Sequence, residues 1–454
     1  MDGLKNVAIK NLLKAATVFI CCFLVGFAFF FLRGRVRKKN KHVSGQKIAS
    51  AWKIRLLLTL KGKASKIKIG PLPLVKDTET QHILITGGTG SGKTNCIHHI
   101  LTQIRLLGHR AVVIDTTGIY RERYFRPGKD ILLNPTDPQS VPWHPWAECS
   151  NQIDYEALAE NFIPNSHSEQ ESYWRITARS LFSALLQKTE HSKKTSDLTK
   201  WILFENLLHL SRFLEGTEAS AHIDMASEKT AGSVRSVASS FLRCLKYLND
   251  TDTPFSIRDW VMSDKKDDDA WLFLSCDPGQ RAAFSPMISC WFSIAARSLL
   301  RTKPNFSRRL WFVVDELPTL NKLKELEPLL AESRKYGGCA LLAIQSPAQI
   351  EDIYGRAACR TIIGLCATKI IFSEMDGETA ERISRSFGSH EFKEIHENIS
   401  YGAHEMRDGV SLSTQTKLQP LVSASAIHSL NANQCYVKLF GNLPVAKIIL
   451  NIVH

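Results

Sequence analysis

A chain of 454 residues, 44% hydrophobic and 22% charged, is longer than one simple core organises and predicts two or three units. Its formal charge of +14 suggests nucleic acid, yet 13 Lys/Arg fall between Arg33 and Lys68 with no Asp or Glu, and residues 1–32 add +2, so the rest carries about −1. That distribution argues against a protein that coats nucleic acid statically, and 11 cysteines without C-x-x-C or paired Cys/His spacing argue against a disulfide framework or a zinc site.

Residues 1–14 form a short flank, after which Ala15 to Leu32 is an unbroken apolar run long enough to cross a bilayer as a helix. A secretory signal would be shorter and end at small residues. This run ends in Phe29-Phe30-Phe31-Leu32-Arg33, so the expectation is a retained transmembrane helix at 15–32. Arg35, Arg37, Lys38, Lys39 and Lys41 follow directly, a cluster that the positive-inside rule places in the cytoplasm beside anionic headgroups. The bulk of the chain then lies in the cytoplasm, although Lys5, Lys10 and Lys14 make the other flank mildly basic too. Across the basic juxtamembrane segment 33–68, Ile54, Leu56, Leu57, Leu58 and Leu60 among lysines read either as a stretch along the membrane surface or as a linker with one buried strand.

From Ile69 short apolar strands alternate with helices. Ile83-Leu84-Ile85-Thr86 reads as a buried strand, and Ile97, Ile100, Leu101, Ile104 and Leu107 recur at helical spacing until Gly108. Between them, Gly87-Gly88-Thr89-Gly90-Ser91-Gly92-Lys93-Thr94 matches the complete G-x-x-x-x-G-K-[ST] pattern. Its glycines let backbone N–H groups converge on phosphate oxygens at a helix N-terminus, Lys93 would reach the β/γ-phosphates, and the Thr94 hydroxyl would sit on Mg²⁺. The cofactors implied are ATP and Mg²⁺. Further strands at Ala111–Asp115, Ala270–Leu274, Leu310–Asp315, Ala340–Gln345 and Lys369–Phe372 are apolar throughout, which suits a parallel sheet covered on both faces. Residues 155–259 break the alternation with predicted helices at Tyr173–Leu186, Lys200–Phe213 and Ser233–Leu248, an all-α insertion between 69–154 and 260–454. Cys435–Phe440 and Val445–Leu450 around Gly441-Asn442-Leu443-Pro444 predict an antiparallel hairpin at an edge of the sheet.

Leu310-Trp311-Phe312-Val313-Val314-Asp315-Glu316 is an apolar strand ending in two carboxylates. Asp315 can hold the Mg²⁺ water shell and Glu316 can polarise the attacking water. Arg334, near the end of a predicted helix Glu325–Tyr336, could reach a neighbouring subunit's γ-phosphate, or could simply complement the helix dipole. Gln345 ends the next strand, where it could sense the γ-phosphate or serve as a plain hydrogen-bonding residue.

Together these residues resemble the type IV secretion coupling proteins, the membrane-anchored motors of bacterial conjugation, and among them the F-type TraD branch. The resemblance runs from about Ile69 to the end. Besides the glycine loop it rests on Leu133-Asn134-Pro135, Trp143-His144-Pro145-Trp146, Asp315-Glu316-Leu317-Pro318-Thr319-Leu320, Ser333-Arg334-Lys335-Tyr336-Gly337-Gly338, Ile344-Gln345-Ser346 with Ala348–Gly355, and Arg407-Asp408-Gly409-Val410-Ser411. It implies an α/β, RecA-like P-loop motor domain with an all-α insertion domain, assembled as a homo-hexamer. It implies Glu316, Lys93, Arg334 and Gln345 as catalytic, with Arg334 acting in trans and Gln345 as γ-phosphate sensor, and Thr94 and Asp315 at the metal.

The family's partners are DNA, the relaxase and its accessory proteins, the secretion channel and the bacterial inner membrane. Two features depart from its usual pattern: one visible span where members commonly have two, and no long acidic C-terminal tail. The function implied is ATP-driven translocation of single-stranded DNA with bound relaxase; a receptor for protein effectors and an FtsK-like double-stranded DNA translocase are the alternatives. For DNA contact, Arg235, Arg243 and Lys246 fall within about 80° of one another on a helix from Ser233 to Leu248, a phosphate-binding face or a solvated one.

Overall fold

The computed structural model describes residues 17, 19–29, 31, 41–166, 168–263, 268–320, 322–400 and 409–453. The expected flank 1–14, the cluster Arg35 to Lys39 and the Arg407-Asp408 pair lie outside them. The chain forms two units, Met1–Lys47 with Ile383–Ser423, and Ile48–Arg382 with Ala424–His454.

In the smaller unit, the strand Lys41–Gly45 pairs antiparallel with Ser389–Ser400, which pairs antiparallel with Gly409–Pro420. The apolar segment Phe19–Phe29 is helical, and its Phe19, Phe23 and Val25 side chains are 74%, 64% and 70% exposed.

The larger unit is built on a ten-stranded sheet of β1 (Ile48–Ala49), β2 (Ile83–Thr86), β3 (Arg110–Asp115), β4 (Ile131–Leu133), β5 (Trp271–Ser275), β6 (Leu310–Val314), β7 (Gly338–Ile344), β8 (Thr368–Ile371), β9 (Gln434–Lys438) and β10 (Val445–Ile449). Their spatial order is β1-β10-β9-β8-β2-β7-β6-β3-β5-β4. Strands β8 through β4 in that order are all parallel; β9 is antiparallel to β8 and β10 antiparallel to β9. The hairpin β9–β10 forms as expected, but β1 pairs in parallel with β10 and takes the edge.

Because successive side chains of a strand point to opposite faces, each apolar strand feeds two cores. Leu310, Phe312 and Val314 join one, Trp311 and Val313 the other. The first core is closed by the helix Arg281–Leu300 and by the insertion helices. Among the described residues the helix long and apolar enough to cross a membrane is Pro278–Leu300, and it is 83% buried in this core. The second core is closed by the helix Lys93–Leu106, which buries Cys96, Ile97, Ile100, Leu101 and Ile104 and stops where Gly108 takes φ +68°. The leucine-rich stretch of the basic segment is the helix Ala51–Leu60. It buries Ile54 and Leu58 in the second core and leaves Trp52, Leu56 and Leu60 exposed.

The insertion is helical, with the long pair Glu169–Lys188 and Glu228–Leu242 at its centre. The expected helix Lys200–Phe213 is a π-helical turn, Lys200–Phe204, followed by Leu207–Phe213, whose N-cap Asn206 accepts from the Leu208 N–H at 2.8 Å. The expected helix Ser233–Leu248 ends at Leu242 and continues as a 3₁₀ turn, Arg243–Tyr247. That tighter winding breaks the angular register that put Arg235, Arg243 and Lys246 on one face. Arg235 is also engaged, its Nε donating to the Ile202 carbonyl at 3.0 Å.

Candidate nucleotide site

In an open parallel sheet the ligand crevice lies beyond the carboxyl ends of the strands. Here β2 delivers the glycine loop to that edge, β6 delivers Asp315 and Glu316, and β7, inserted between them, delivers Gln345. Sequence separation is thus irrelevant: the order β2-β7-β6 brings residues 87–94, 345 and 315–316 to one edge. Gln345 Nε2 donates to Glu316 Oε1 at 2.8 Å.

Gly87, Gly90 and Gly92 take φ of +152°, +72° and +114°, which side chains rarely adopt. A Cβ on Gly87 would meet Phe372 Cβ at 2.6 Å and Ser91 Oγ at 2.9 Å, and the Gly88 N–H donates to the Ser373 carbonyl at 2.8 Å. The loop is therefore moulded against the end of β8. Lys93 Nζ donates to the carbonyls of Gly87 (2.6 Å) and Gly88 (2.9 Å). Burial lowers its pKa, opposed by the charges of Asp315, Glu316 and Glu374. The Ser91 and Thr86 hydroxyls are buried without a hydrogen-bond partner among the described residues.

Burial raises the Asp315 carboxyl above its ordinary value; Glu316 adds to the rise and Lys93 opposes it. Three neighbours at this edge were not marked by the sequence. Tyr120 is fully buried, and its hydroxyl lies against Asp315 and Thr94 while meeting full hydrogen-bond geometry with neither. Asp115, at the tip of β3, accepts from the backbone N–H groups of Thr117, Gly118 and Arg121 and so shapes the turn that carries Tyr120. Glu374 is buried just past β8, and burial pushes its carboxyl up.

Arg334 is not at this edge. The predicted helix is α only over Leu326–Glu332 and then tightens to a 3₁₀ turn, Ser333–Tyr336, so Arg334 sits just before β7 at the amino end of the sheet. The seven residues of β7 put about 23 Å between it and Gln345. Its side chain is exposed, and no hydrogen bond or ion pair joins it to a described residue.

The Trp143–Trp146 motif has a structural role. Trp143 packs edge-on against Trp291 at 5.6 Å, and its Nε1 donates to Glu148 Oε1 at 2.9 Å. Glu148 also accepts from the Ile257 and Arg258 N–H groups at 2.7 and 3.0 Å, and Trp146 Nε1 donates to the Leu186 carbonyl at 2.9 Å. One short segment thus ties the helix Glu169–Lys188 and the C-terminal end of the insertion to the helix Arg281–Leu300, which packs on the sheet.

Residues 66–451 match the family model of the type IV secretion-system coupling protein DNA-binding domain. The chain belongs to the type IV secretion-system coupling proteins. It is 34% identical over 446 residues to the coupling protein TraD of Escherichia coli K12, covering 96% of this chain and 62% of that protein. Among solved structures, the bacterial conjugative coupling protein TrwBdeltaN70 in its unbound form superposes with a TM-score of 0.81 at 27% identity, over 92% of this chain and 94% of that one. The plasmid coupling protein TrwB in complex with ADP and Mg²⁺ gives 0.80 at 27% identity, over 92% and 95%. Coupling proteins of the TraD and TrwB type therefore share this α/β architecture, with its central mixed sheet, across nearly the whole chain.

Proposed function

We propose that this coupling protein is a membrane-anchored ATPase that assembles as a homo-hexamer and moves single-stranded DNA, with its attached relaxase, into a type IV secretion channel. The observation that carries the reading is the Gln345–Glu316 bond at the edge where β2, β7 and β6 meet, in a chain of this family. The anchor in the inner membrane rests on the apolar run 15–32 of the sequence; the helix Phe19–Phe29 within it is exposed but shorter than a bilayer span. The family's DNA-binding description and the nucleotide complexes of TrwB support DNA and ATP with Mg²⁺ as ligands.

The site's residues fit that cofactor. The loop has no room for a Cβ at Gly87 or Gly92 and presents its backbone at a helix N-terminus, and Thr94 and Asp315 are the hard oxygen donors that Mg²⁺ takes. Bound ATP with Mg²⁺ supplies the phosphoanhydride that is cleaved. Lys93 exchanges the Gly87 and Gly88 carbonyls for phosphate oxygens. Gln345 holds Glu316, which accepts a proton from the attacking water. Arg334, about 23 Å from its own Gln345, serves a neighbouring subunit's site across a ring.

ATP hydrolysis by the purified protein, measured with and without single-stranded DNA, tests the reading. Stimulation by single strands is expected and should vanish in Lys93→Ala. Preference for duplex would favour a double-strand translocase, and indifference to DNA a receptor for protein effectors.

A further inference from the structure

Strand β9 runs antiparallel to β8, so its first residue lies at the carboxyl edge of the parallel strands; β10 runs back, so its last residue ends at the same edge. The residue before β9 and those after β10 are thereby returned to the glycine loop, some 340 positions away in sequence. Asn433 is the residue before β9. It adopts φ +62°, its N–H donates to the Ser91 carbonyl at 2.8 Å, and its own carbonyl accepts from Leu450 N–H at 2.9 Å. Its Oδ1 accepts from Asn95 Nδ2 at 3.0 Å, in the first turn of the helix that follows the loop.

Gly92 completes the contact. A Cβ there would lie 2.6 Å from Asn433 Oδ1 and 3.0 Å from both its N and Cα, so the loop's last glycine is shaped to receive this one asparagine. Asn95 is also occupied on its other side. Its Nδ2 donates to the Asn451 carbonyl at 2.9 Å and its Oδ1 accepts from Val453 N–H at 3.0 Å, while the His99 ring bonds the Asn451 carbonyl at 2.7 Å.

We propose that Asn433 is a positioning residue for the phosphate loop: with Asn95 it latches Ser91 and Gly92 to the β9–β10 hairpin, preorganising the loop's N–H groups for phosphate. The inference rests on the nucleotide-binding reading above. A loop held in place binds the ground state and transition state alike, so the latch acts on affinity and not on the chemical step. Asn95, with His99 on the same helix, also joins the segment after β10 to the helix that follows the loop.

The test uses the full chain with Asn433→Gly, which tolerates φ +62° and keeps the N–H to Ser91 but removes Oδ1, and with Asn95→Ala. Binding of a fluorescent ATP analogue is titrated, KM and kcat for ATP are measured, and the thermal midpoint is recorded. Each variant should raise the dissociation constant and KM roughly three- to ten-fold with kcat unchanged, as loss of about one hydrogen bond predicts, and the two together should raise them no further than one alone. Unchanged affinity and KM with a lowered thermal midpoint would make Asn433 a purely structural residue and overturn the latch. If Asn433→Gly does not fold, Asn95→Ala decides by the same readouts. Absence of analogue binding by the unmodified protein would instead overturn the nucleotide reading itself.

Discussion

Gln345 and Glu316 show how much of this site depends on one hydrogen bond. The two carboxylates that end β6 are adjacent in sequence but differ in surroundings: Asp315 is pushed up by burial and lies against Tyr120, whereas Glu316 Oε1 receives the Gln345 amide at 2.8 Å. In the proposed mechanism that amide would leave the other carboxylate oxygen to the attacking water. If the contact serves to orient Glu316 as the proposed base, Gln345→Ala is expected to lower kcat about 10²-fold with little change in KM. Steady-state ATPase kinetics check it; a raised KM with kcat intact would place Gln345 in binding. That the glycine loop, Asp315, Glu316 and Gln345 stand at strand ends was legible because each follows a local apolar run. Asn433, Tyr120 and Asp115 were not, because each matters only through a neighbour that the sheet order supplies.

Among the elements, the entrance to β2 is held by His82. Its φ is +65°, its Nδ1 accepts from the Ala340 N–H at 3.1 Å at the start of β7, and its Nε2 then donates to the Leu330 carbonyl at 2.8 Å. A single neutral imidazole thus pins β2, β7 and the helix Leu326–Glu332. Burial lowers its pKa from 6.5 to about 4. Between those values the unfolded chain binds a proton that the folded one does not, so this contribution to stability is complete above pH 6.5 and fades as pH falls toward 4. His82→Asn, which keeps one donor and one acceptor, should flatten the loss of thermal midpoint between pH 6.5 and 4.5; an unaltered pH profile would show that His82 does not carry it.

At this same scale the parallel strands could be read from their apolar runs. The hairpin Ser389–Ser400/Gly409–Pro420 could not, since charged and polar residues such as Glu391, Lys393, Glu394 and Glu397 interrupt any period-2 apolar signal. The 3₁₀ turn after Leu242 was equally hidden, because a change of winding leaves the apolar spacing nearly intact.

For the whole molecule, the separation of Arg334 from Gln345 by the length of β7 turns a single-chain structure into an argument about assembly. The exposed Arg334 would complete a site only on a neighbour. Arg334→Ala alone and Glu316→Gln alone should each lose about 10³-fold or more of ATPase activity, yet a mixture of the two proteins should recover measurable hydrolysis where an intact Glu316 meets an intact Arg334. Failure of the mixture to recover any would argue that Arg334 does not act between subunits. The central claim, ATP-driven DNA transfer, is tested most directly in cells whose own copy of the gene is deleted, by counting plasmid transfer to recipients after complementation. The unmodified chain should restore transfer, while Lys93→Ala and Glu316→Gln, expressed to the same level, should not; transfer that is unimpaired by the deletion, or restored by either variant, would contradict it.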